Sequence, residues 1–332
     1  MLKIYTLKNK SGMTVCLTNA AAAIQSIMVP GRDGSFIDVV LGYNDAQSYF
    51  SKGAYHGAVI GRVANRIEDA RFTLNGREYI TAKNMDNRHT LHGGTVGLDS
   101  KTYTASVTAD SVAFSTTLPD GEDGFPGNVA ITVTYSLTDD NRLSIHYEAE
   151  SDADTPINLT NHAYFNLAGA GSILPQRLMI NSDFYYPLGA NGMVMGEHAP
   201  VRGTMDFRTP KAIGRDIESD CEQLKIAGGY DHNFELAVKG NSLSLAAQAW
   251  DDDSGRTMRV FTNMPGVLFY SGNALASHPV HGKGNRAYRA REGFCLETNF
   301  CPNALRFPNL PQPILRVGEK YDYTTVLEFA TC

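Results

Sequence analysis

Polar and apolar residues alternate with a period of two along much of the chain. The alternation is clear over 131–137 and 143–149, and the polar run 139–141 separates these two stretches. A second pair of alternating stretches covers 243–249 and 258–262. Because successive side chains of a β-strand point to opposite faces, each stretch predicts a strand with one face on a core.

Turn signals separate the alternating stretches. Asn75-Gly76 lies in the middle of 71–80, and this dipeptide is typical of the two-residue turn of a β-hairpin. Asp33-Gly34 gives a similar signal between the short apolar stretches 28–29 and 37–41. Both patterns predict antiparallel neighbours joined by tight turns.

Helical periodicity is almost absent, and the best candidates are two short stretches, 45–50 and 213–224. We therefore predict an all-β fold in which residues 1–332 form a single domain. A large antiparallel β-sandwich with few short helices accommodates this length. The loops 121–127 and 188–203 are polar and rich in Gly and Pro, so they have room to border a site.

The stretch 157–169 carries an unusual row of polar residues. If it forms one strand, an apolar row that includes Ile157 and Leu159 faces the core, and His162 lies in the middle of the opposite, polar row. That polar face would look either at water or into a wet pocket. Histidine is the side chain there that can exchange a proton near neutral pH.

Composition excludes several classes of protein. Hydrophobic residues make up 42% of the 332 positions and charged residues 19%, which predicts a large ordered core. The net charge of −6, without a Lys/Arg run, argues against a nucleic-acid partner. The apolar stretches are shorter than the roughly 20 residues of a membrane helix. The N-terminal residues have no apolar leader, and the five cysteines are scattered, so we expect a cytoplasmic protein with free thiols.

Five stretches place reactive side chains among apolar or glycine-rich neighbours: 61–67 with Asn65 and Arg66, 89–94 with His92, 157–169 with His162, 228–234 with Asp231, and 293–300 with Glu297. Each has a structural alternative. Arg66 could pair with Glu68 or Asp69, while His92 and Asp231 could serve local turns. Glu297 stands in an apolar stretch, where it could form an ion pair with a nearby Arg. Burial of a Glu costs free energy unless the carboxylate is paired or its pKa shifts.

Sequence patterns typical of metal sites, acyl transfer and phosphoryl transfer are incomplete or absent. His89-x-x-His92 and His278-x-x-His281 have the spacing of metal ligands, but neither has a third ligand placed by a familiar motif, so we expect no metal. The sequence Gly-x-Ser-x-Gly is absent, as is a phosphate-cradling loop. Acyl transfer and phosphoryl transfer are therefore disfavoured.

Taken together, the stretches resemble the aldose 1-epimerase family, also called galactose mutarotases. The similarity runs in order from about residue 5 to 330. The matching phrases are Gly61-Arg-Val-Ala-Asn-Arg-Ile67, Leu91-His-Gly-Gly94, Asn158-Leu-Thr-Asn-His-Ala-Tyr-Phe-Asn-Leu-Ala-Gly169, Tyr230-Asp-His-Asn-Phe234, Phe269-Tyr-Ser-Gly-Asn273, Gly293-Phe-Cys-Leu-Glu-Thr298 and Ile314-Leu-Arg-Val-Gly-Glu-Lys-Tyr321.

The resemblance implies a fold and an activity. The family forms a large antiparallel β-sandwich with an open groove, and it interconverts the α and β anomers of free aldoses such as glucose or galactose without a cofactor. By resemblance, Glu297 is the general base and His162 the general acid, with His92 assisting at the ring oxygen. Asn65, Arg66 and Asp231 would bind sugar hydroxyls. We expect a monosaccharide substrate and a monomer or homodimer.

The implied chemistry suits these residue types. A hemiacetal opens when a base removes the anomeric O–H proton and an acid protonates the ring oxygen. The freed aldehyde rotates about C1–C2, and the ring closes on its other face by the reverse transfers. The acid and the base must each lie within about 3 Å of the atom they serve, so we expect the five stretches to converge on one groove.

Three positions depart from the family pattern. Leu268 stands where many members have Gln, Asn299 replaces another Gln, and Arg306 introduces a cation that could lie near the groove. These differences leave the sugar preference open. One alternative is an epimerase for a phosphorylated or acidic sugar, which Arg306, Arg286, Arg289 and Arg291 would favour. Another is a non-catalytic sugar-binding protein on the same fold.

Overall fold

A computed structural model describes residues 1–51, 54–238, 240–277 and 281–332. Strands dominate this part of the chain. None of the helices found there has the length and hydrophobicity needed to cross a bilayer. The strands, numbered along the chain, are β1 (Ile4–Lys8), β2 (Thr14–Thr18), β3 (Ala23–Pro30), β4 (Phe36–Asp38), β5 (Val59–Ile60), β6 (Arg66–Ile67), β7 (Arg71–Leu74), β8 (Arg77–Ile80), β9 (Thr90–Leu91), β10 (Thr104–Val107), β11 (Ser111–Leu118), β12 (Val129–Leu137), β13 (Arg142–Ser151), β14 (Thr155–Pro156), β15 (Thr160–Asn161), β16 (Arg177–Ile180), β17 (Phe184–Tyr185), β18 (Ala199–Pro200), β19 (Lys211–Ala212), β20 (Asp231–Glu235), β21 (Ser244–Trp250), β22 (Arg256–Thr262), β23 (Gly266–Tyr270), β24 (Cys295–Asn299), β25 (Ile314–Leu315) and β26 (Tyr321–Thr331).

The helices of the described residues are short. The α-helix α1 covers Glu222–Ala227. The 3₁₀ helices are Gln47–Phe50, Glu68–Ala70, Leu98–Ser100, Glu122–Gly124, Gly203–Met205, Leu275–Ser277, Lys283–Asn285 and Ala304–Arg306. The prediction of a short helix in 45–50 is confirmed as a 3₁₀ turn, but the prediction over 213–224 is wrong. Residues 213–220 form turns around Gly214, and α1 begins only at Glu222.

The all-β prediction is confirmed. Nine strands form one antiparallel sheet in the order β10-β11-β12-β13-β26-β22-β21-β16-β19, so β26 occupies its centre. The alternating stretches become the neighbouring pairs β12–β13 and β21–β22, as their sequences predict. Leu74 pairs with Arg77 across the turn, where the φ angles of Asn75 and Gly76 are 51° and 76°. Asp33-Gly34 likewise joins β3 to β4.

A second sheet of five strands, in the order β18-β17-β20-β23-β24, packs on the first. Leu296 and Thr298 of β24 point towards the large sheet, where the Thr298 and Thr325 hydroxyl oxygens lie 2.5 Å apart. Side chains of both sheets, and of the four-stranded sheet β1-β2-β3-β4, share one buried apolar core. Because neighbouring residues of a strand face opposite ways, Cys295 and Glu297 point away from the large sheet.

The stretch 157–169 is not one strand, and its polar row is not solvated. Only Thr160–Asn161 forms a strand, β15, and both rows from 157 to 167 are buried. Asn158 exchanges hydrogen bonds with the backbone of Phe300, and the Asn166 amide donates to the Glu292 carbonyl oxygen. The asparagines thus replace missing strand hydrogen bonds, which explains their presence in a buried segment.

Candidate active site

The five-stranded sheet carries a pocket on the face that points away from the large sheet. Its cavity volume is about 140 Å³. The side chains that line it are Tyr55, Asn65, Arg66, Leu91, His92, His162, Tyr164, Asp231, Tyr270 and Glu297. The pocket therefore brings together all six residues that the sequence singled out.

Three neighbouring strands set the floor of the pocket. The pairings Asp231–Tyr270–Cys295 and Asn233–Leu268–Glu297 place these residues in two adjacent rows on one face. Glu297 is almost fully buried, with 2% of its surface exposed. A carboxyl group thus ends at the bottom of the pocket because strand alternation turns it away from the core that Leu296 and Thr298 enter.

Asn65 and His92 are fixed to each other by backbone contacts at one wall. The Asn65 N–H donates to His92 Nδ1 at 3.2 Å, and the His92 N–H donates to the Asn65 carbonyl oxygen at 3.0 Å. Both residues have positive φ angles, 62° and 52°. A Cβ at Gly93 would lie 2.0 Å from the Gly61 carbonyl oxygen, so the approach of these two segments requires glycine there.

Arg66 and Asp231 form an ion pair inside the pocket, with 3.1 Å between Arg66 Nη2 and Asp231 Oδ2. The structural alternative that paired Arg66 with Glu68 or Asp69 is wrong. Arg66 pairs with Asp231, and Arg306 approaches the carboxylates of Glu68 and Asp69. The Asn65 side-chain oxygen accepts a hydrogen bond from Arg66 Nη1 at 3.2 Å. The guanidinium is thereby held in a fixed orientation towards the pocket.

His162 lies beside Glu297 at the bottom of the pocket. Its Nε2 is 3.6 Å from Glu297 Oε1, and its backbone N–H donates to the Ala58 carbonyl oxygen. The bridge between Phe165 and Phe294 brings the His162 segment alongside the start of β24. Tyr55 packs against the His162 ring with centroids 5.8 Å apart. An acid–base pair of this geometry can serve two atoms of one small ligand.

Comparison with known proteins identifies the family. The family model described as aldose 1-epimerase matches residues 3–328. The chain belongs to the aldose 1-epimerase family. Among curated relatives, galactose mutarotase from Sus scrofa is 40% identical over 321 residues, covering 96% of this chain and 91% of that protein. Aldose 1-epimerase from Escherichia coli (strain K12) is 39% identical over 332 residues, covering 98% and 95%.

Solved structures of aldose 1-epimerase relatives share the fold. The GalM/aldose epimerase homologue from C. elegans has a TM-score of 0.92 and 28% identity, covering 100% of this chain and 99% of that one. Galactose 1-epimerase from Lactobacillus acidophilus NCFM has a TM-score of 0.86 and 27% identity, covering 100% and 98%. The galactose mutarotase-like sandwich predicted from the sequence is confirmed.

Burial dominates the electrostatics of this aldose 1-epimerase pocket. It raises the pKa of Glu297 to about 8; the charge of Asp231 adds to the rise, and Arg66 opposes it. Desolvation of the carboxylate therefore outweighs the effect of the nearby guanidinium on its pKa. A carboxylate with a raised pKa is a stronger base once it is ionised, which suits proton removal.

Burial also lowers the pKa of His92 well below its usual value, and the charges of His162 and Arg66 act in the same direction. His92 is therefore neutral at pH 7. Because its Nδ1 accepts the Asn65 N–H, the proton of the neutral ring resides on Nε2. His92 can donate a hydrogen bond into the pocket without being an acid.

Among the described residues, one cluster has the composition of a metal site: His162, Cys295 and Glu297. The His162 nitrogens face different partners, Nδ1 towards Cys295 and Nε2 towards Glu297. One ligand atom from each of the three residues lies within 4.8 Å of the others. The pair His89 and His92 is divided, since His89 Nδ1 accepts the Asp69 N–H. His278, of the other pair, lies outside the described residues.

None of the three departures from the family pattern is among the residues that line the pocket. Leu268 stands between Asn233 and Glu297 and borders an adjoining recess with Arg66 and Asp231. Asn299 is buried two residues beyond Glu297. Arg306, which could have added a cation to the groove, instead pairs with Glu68 at 3.3 Å.

Tyr55, Tyr164 and Tyr270 line the pocket but were not among the candidates from the sequence. Tyr164 gave a usable signal, because it follows His162 by two positions in the polar row. Tyr270 belongs to the matching phrase that begins at Phe269. Tyr55 lies in an irregular loop without periodicity, so no pattern marked it.

Proposed function

We propose that this chain is an aldose 1-epimerase that interconverts the α and β anomers of free aldoses such as glucose or galactose. The observation that carries the proposal is the contact of 3.6 Å between His162 Nε2 and Glu297 Oε1 at the bottom of a polar pocket. Curated relatives that bear the names galactose mutarotase and aldose 1-epimerase support the same reading.

Glu297 acts as the general base and His162 as the general acid. The ionised Glu297 carboxylate removes the anomeric O–H proton, while the protonated His162 donates its Nε2 proton to the ring oxygen. Rotation about C1–C2 then exposes the other face of the aldehyde. Ring closure returns both protons to their donors, so no co-reactant is consumed, and each positioned transfer contributes about 10² to 10⁴ in rate.

The remaining candidates hold the sugar in place. The His92 Nε2–H donates to the ring oxygen region, where it supports the acid without changing its own protonation. Arg66 offers donors, Asp231 offers an acceptor, and the Asn65 amide offers both, which suits the alternating donor and acceptor character of vicinal hydroxyls. Their ion pair keeps the hydroxyl-binding groups pre-oriented.

The phosphorylated-sugar alternative loses its support from the four arginines. Arg286 pairs with Glu292 at 2.6 Å, and Arg291 is directed to Glu218 and the Gly228 carbonyl oxygen. Neither of these, nor Arg289 or Arg306, lines the pocket. The non-catalytic alternative is disfavoured because the acid–base pair is present and in contact.

The chain works as one catalytic domain over 1–332, in this proposal, because side chains from residue 55 to residue 297 build one pocket. A cytoplasmic location is supported by the five cysteines, all of which are free. The choice between monomer and homodimer stays a prediction that light scattering can decide.

Polarimetry of freshly dissolved α-D-glucose and α-D-galactose tests the proposal. We expect fast decay of the optical rotation with the wild type, and decay at least about 10²-fold slower with Glu297→Gln. Glu235→Gln, on the same sheet but outside the pocket, is the matched control and should retain activity. Buffer-rate decay with the wild type across a panel of aldoses would reject the proposal.

A further inference from the structure

Cys295 touches the side of His162 that the proposed chemistry does not use. Its Sγ lies 3.5 Å from His162 Nδ1, and its exposed fraction is 0%. The opposite ring nitrogen, Nε2, faces Glu297. The two partners are residues i and i+2 of β24, so one strand contacts both nitrogens of the same imidazole.

The contact with Cys295 fixes the orientation of the His162 ring, which packing against aromatic rings alone does not determine. Tyr55 and Tyr164 lie against His162 with interplanar angles of 29° and 33°, which restricts the tilt of the ring. Packing of this kind does not prevent a 180° flip of the imidazole about its Cβ–Cγ bond, which keeps the ring plane but exchanges the positions of the nitrogens with those of ring carbons. A hydrogen-bonding partner at Nδ1 does, because it sets the direction in which Nε2 points.

The Cys295 side chain is a neutral thiol. Burial and the nearby carboxylates of Glu297 and Asp231 raise its pKa well above the usual value. A thiol is a weak donor and a weak acceptor, so it can face Nδ1 whether that nitrogen is protonated or not. The groups that face the His162 ring include Cys295, Glu297, His92, Tyr55 and Tyr164.

We propose that Cys295 is a positioning residue for the general acid: it aims Nε2 of His162 at the substrate and leaves the imidazolium a strong acid. This inference rests on the proposed function. Many histidines are oriented by a carboxylate, which favours the charged ring and weakens it as a proton donor. A carboxylate at position 295 would also lie beside Glu297 and repel its ionised form.

The proton balance is simple. The imidazolium carries protons on both nitrogens, and the Nδ1–H points to Sγ. Transfer of the Nε2 proton to the ring oxygen leaves a neutral ring with the Nδ1–H still in contact with the thiol. Ring closure returns the Nε2 proton, and Cys295 neither gains nor loses one.

Substitution at Cys295 tests the orientation. We expect Cys295→Ala to lower kcat about 10-fold with KM changed less than about 2-fold, because a misaligned transfer costs rate rather than binding. Cys295→Ser restores a partner at Nδ1 and should recover most of kcat. Cys301→Ala removes another buried thiol from a different apolar cluster and is the matched control for cavity formation.

Two further readouts separate positioning from packing. Nitrogen chemical shifts of the His162 ring should differ between the wild type and Cys295→Ala. The shifts in Cys301→Ala should equal those of the wild type. Cys295→Asp should move the alkaline limb of kcat to higher pH, because a carboxylate favours the imidazolium. An Ala variant with kcat and ring shifts equal to those of the control would overturn the inference. If the wild type opens no aldose, the proposed function fails, yet the ring shifts still decide whether Cys295 orients His162.

Discussion

Asp231 and Glu297 point to the same face of the five-stranded sheet, two strands apart, and the charge of Asp231 helps to raise the pKa of Glu297. Arg66, paired with Asp231, acts on Glu297 in the opposite direction. The ion pair that we assign to substrate binding therefore also adjusts the base. Binding and proton transfer are linked through this pair, and the link can be measured.

The first prediction concerns the pH dependence of the wild type. The base must be ionised to act, and the Glu297 pKa is about 8, so kcat/KM should rise with pH until about that value. This profile reports the groups of the free enzyme. Asp231→Asn should move the rising limb to lower pH, because it removes a charge that raises the Glu297 pKa and frees Arg66 to lower it. Movement to higher pH would contradict this account.

The second prediction concerns stability. The pKa of Glu297 is raised from 4.5 to about 8, so the folded state keeps a proton that the unfolded chain releases in this interval. The free energy of unfolding therefore falls as pH rises from about 5 to 8, and the Glu297 contribution is complete only below the unfolded pKa. Glu297→Gln has no carboxyl group to titrate at this position, so its Tm should fall less than the Tm of the wild type as pH rises. Thermal unfolding at several pH values measures the difference; parallel curves would argue against a buried, titrating Glu297.

The third prediction concerns charged substrates. Because Arg306 is paired with Glu68 and Asp69, Arg306→Ala should leave kcat and KM for a free hexose within about 2-fold, as for a change at a surface ion pair. A hexose 6-phosphate should inhibit mutarotation no better than the free sugar. Inhibition that is strong in the wild type and lost in Arg306→Ala would instead favour the phosphorylated-sugar alternative.

The fourth prediction concerns Arg62, which the matching phrase 61–67 contains but the pocket does not. Its guanidinium is buried and donates to the carbonyl oxygens of Pro126 and Gly127 and to the Thr155 hydroxyl. Arg62→Met should lower the free energy of unfolding by at least about 3 kcal/mol, since it leaves buried acceptors unpaired. Urea titration measures the change. The exposed Arg71→Met should change stability by less than about 0.5 kcal/mol, and equal losses in the two variants would refute the argument.

Much of the architecture could be predicted because it rests on local patterns. Alternation identified the hairpins β12–β13 and β21–β22 of the large sheet, and Asn75-Gly76 identified the separate hairpin β7–β8. These signals depend on neighbouring residues. The prediction of one strand over 157–169 was wrong because its asparagines form hydrogen bonds with distant backbone groups, at Phe300 and Glu292. No local sequence pattern indicates such contacts. The 213–224 helix failed for a similar reason: apolar spacing fitted, but Gly214 and the polar residues after it favour turns.

Prediction of the site depended on residue chemistry and on resemblance. A Glu inside an apolar stretch and a His inside a polar row marked Glu297 and His162. The partners of Arg66 and Arg306 could not be predicted, because each pair joins segments far apart in the chain. The raised pKa of Glu297 likewise follows from burial, which the sequence indicates only in outline.

The central place of β26 has a consequence for how the protein is made. Synthesis delivers β13 long before β26, and β22 also waits for the strand that pairs with both. Until Tyr321–Thr331 has left the ribosome, two partial sheets carry open edges, and such edges invite pairing with other chains. A nascent chain of this protein is therefore expected to need chaperone protection until β26 has been synthesised.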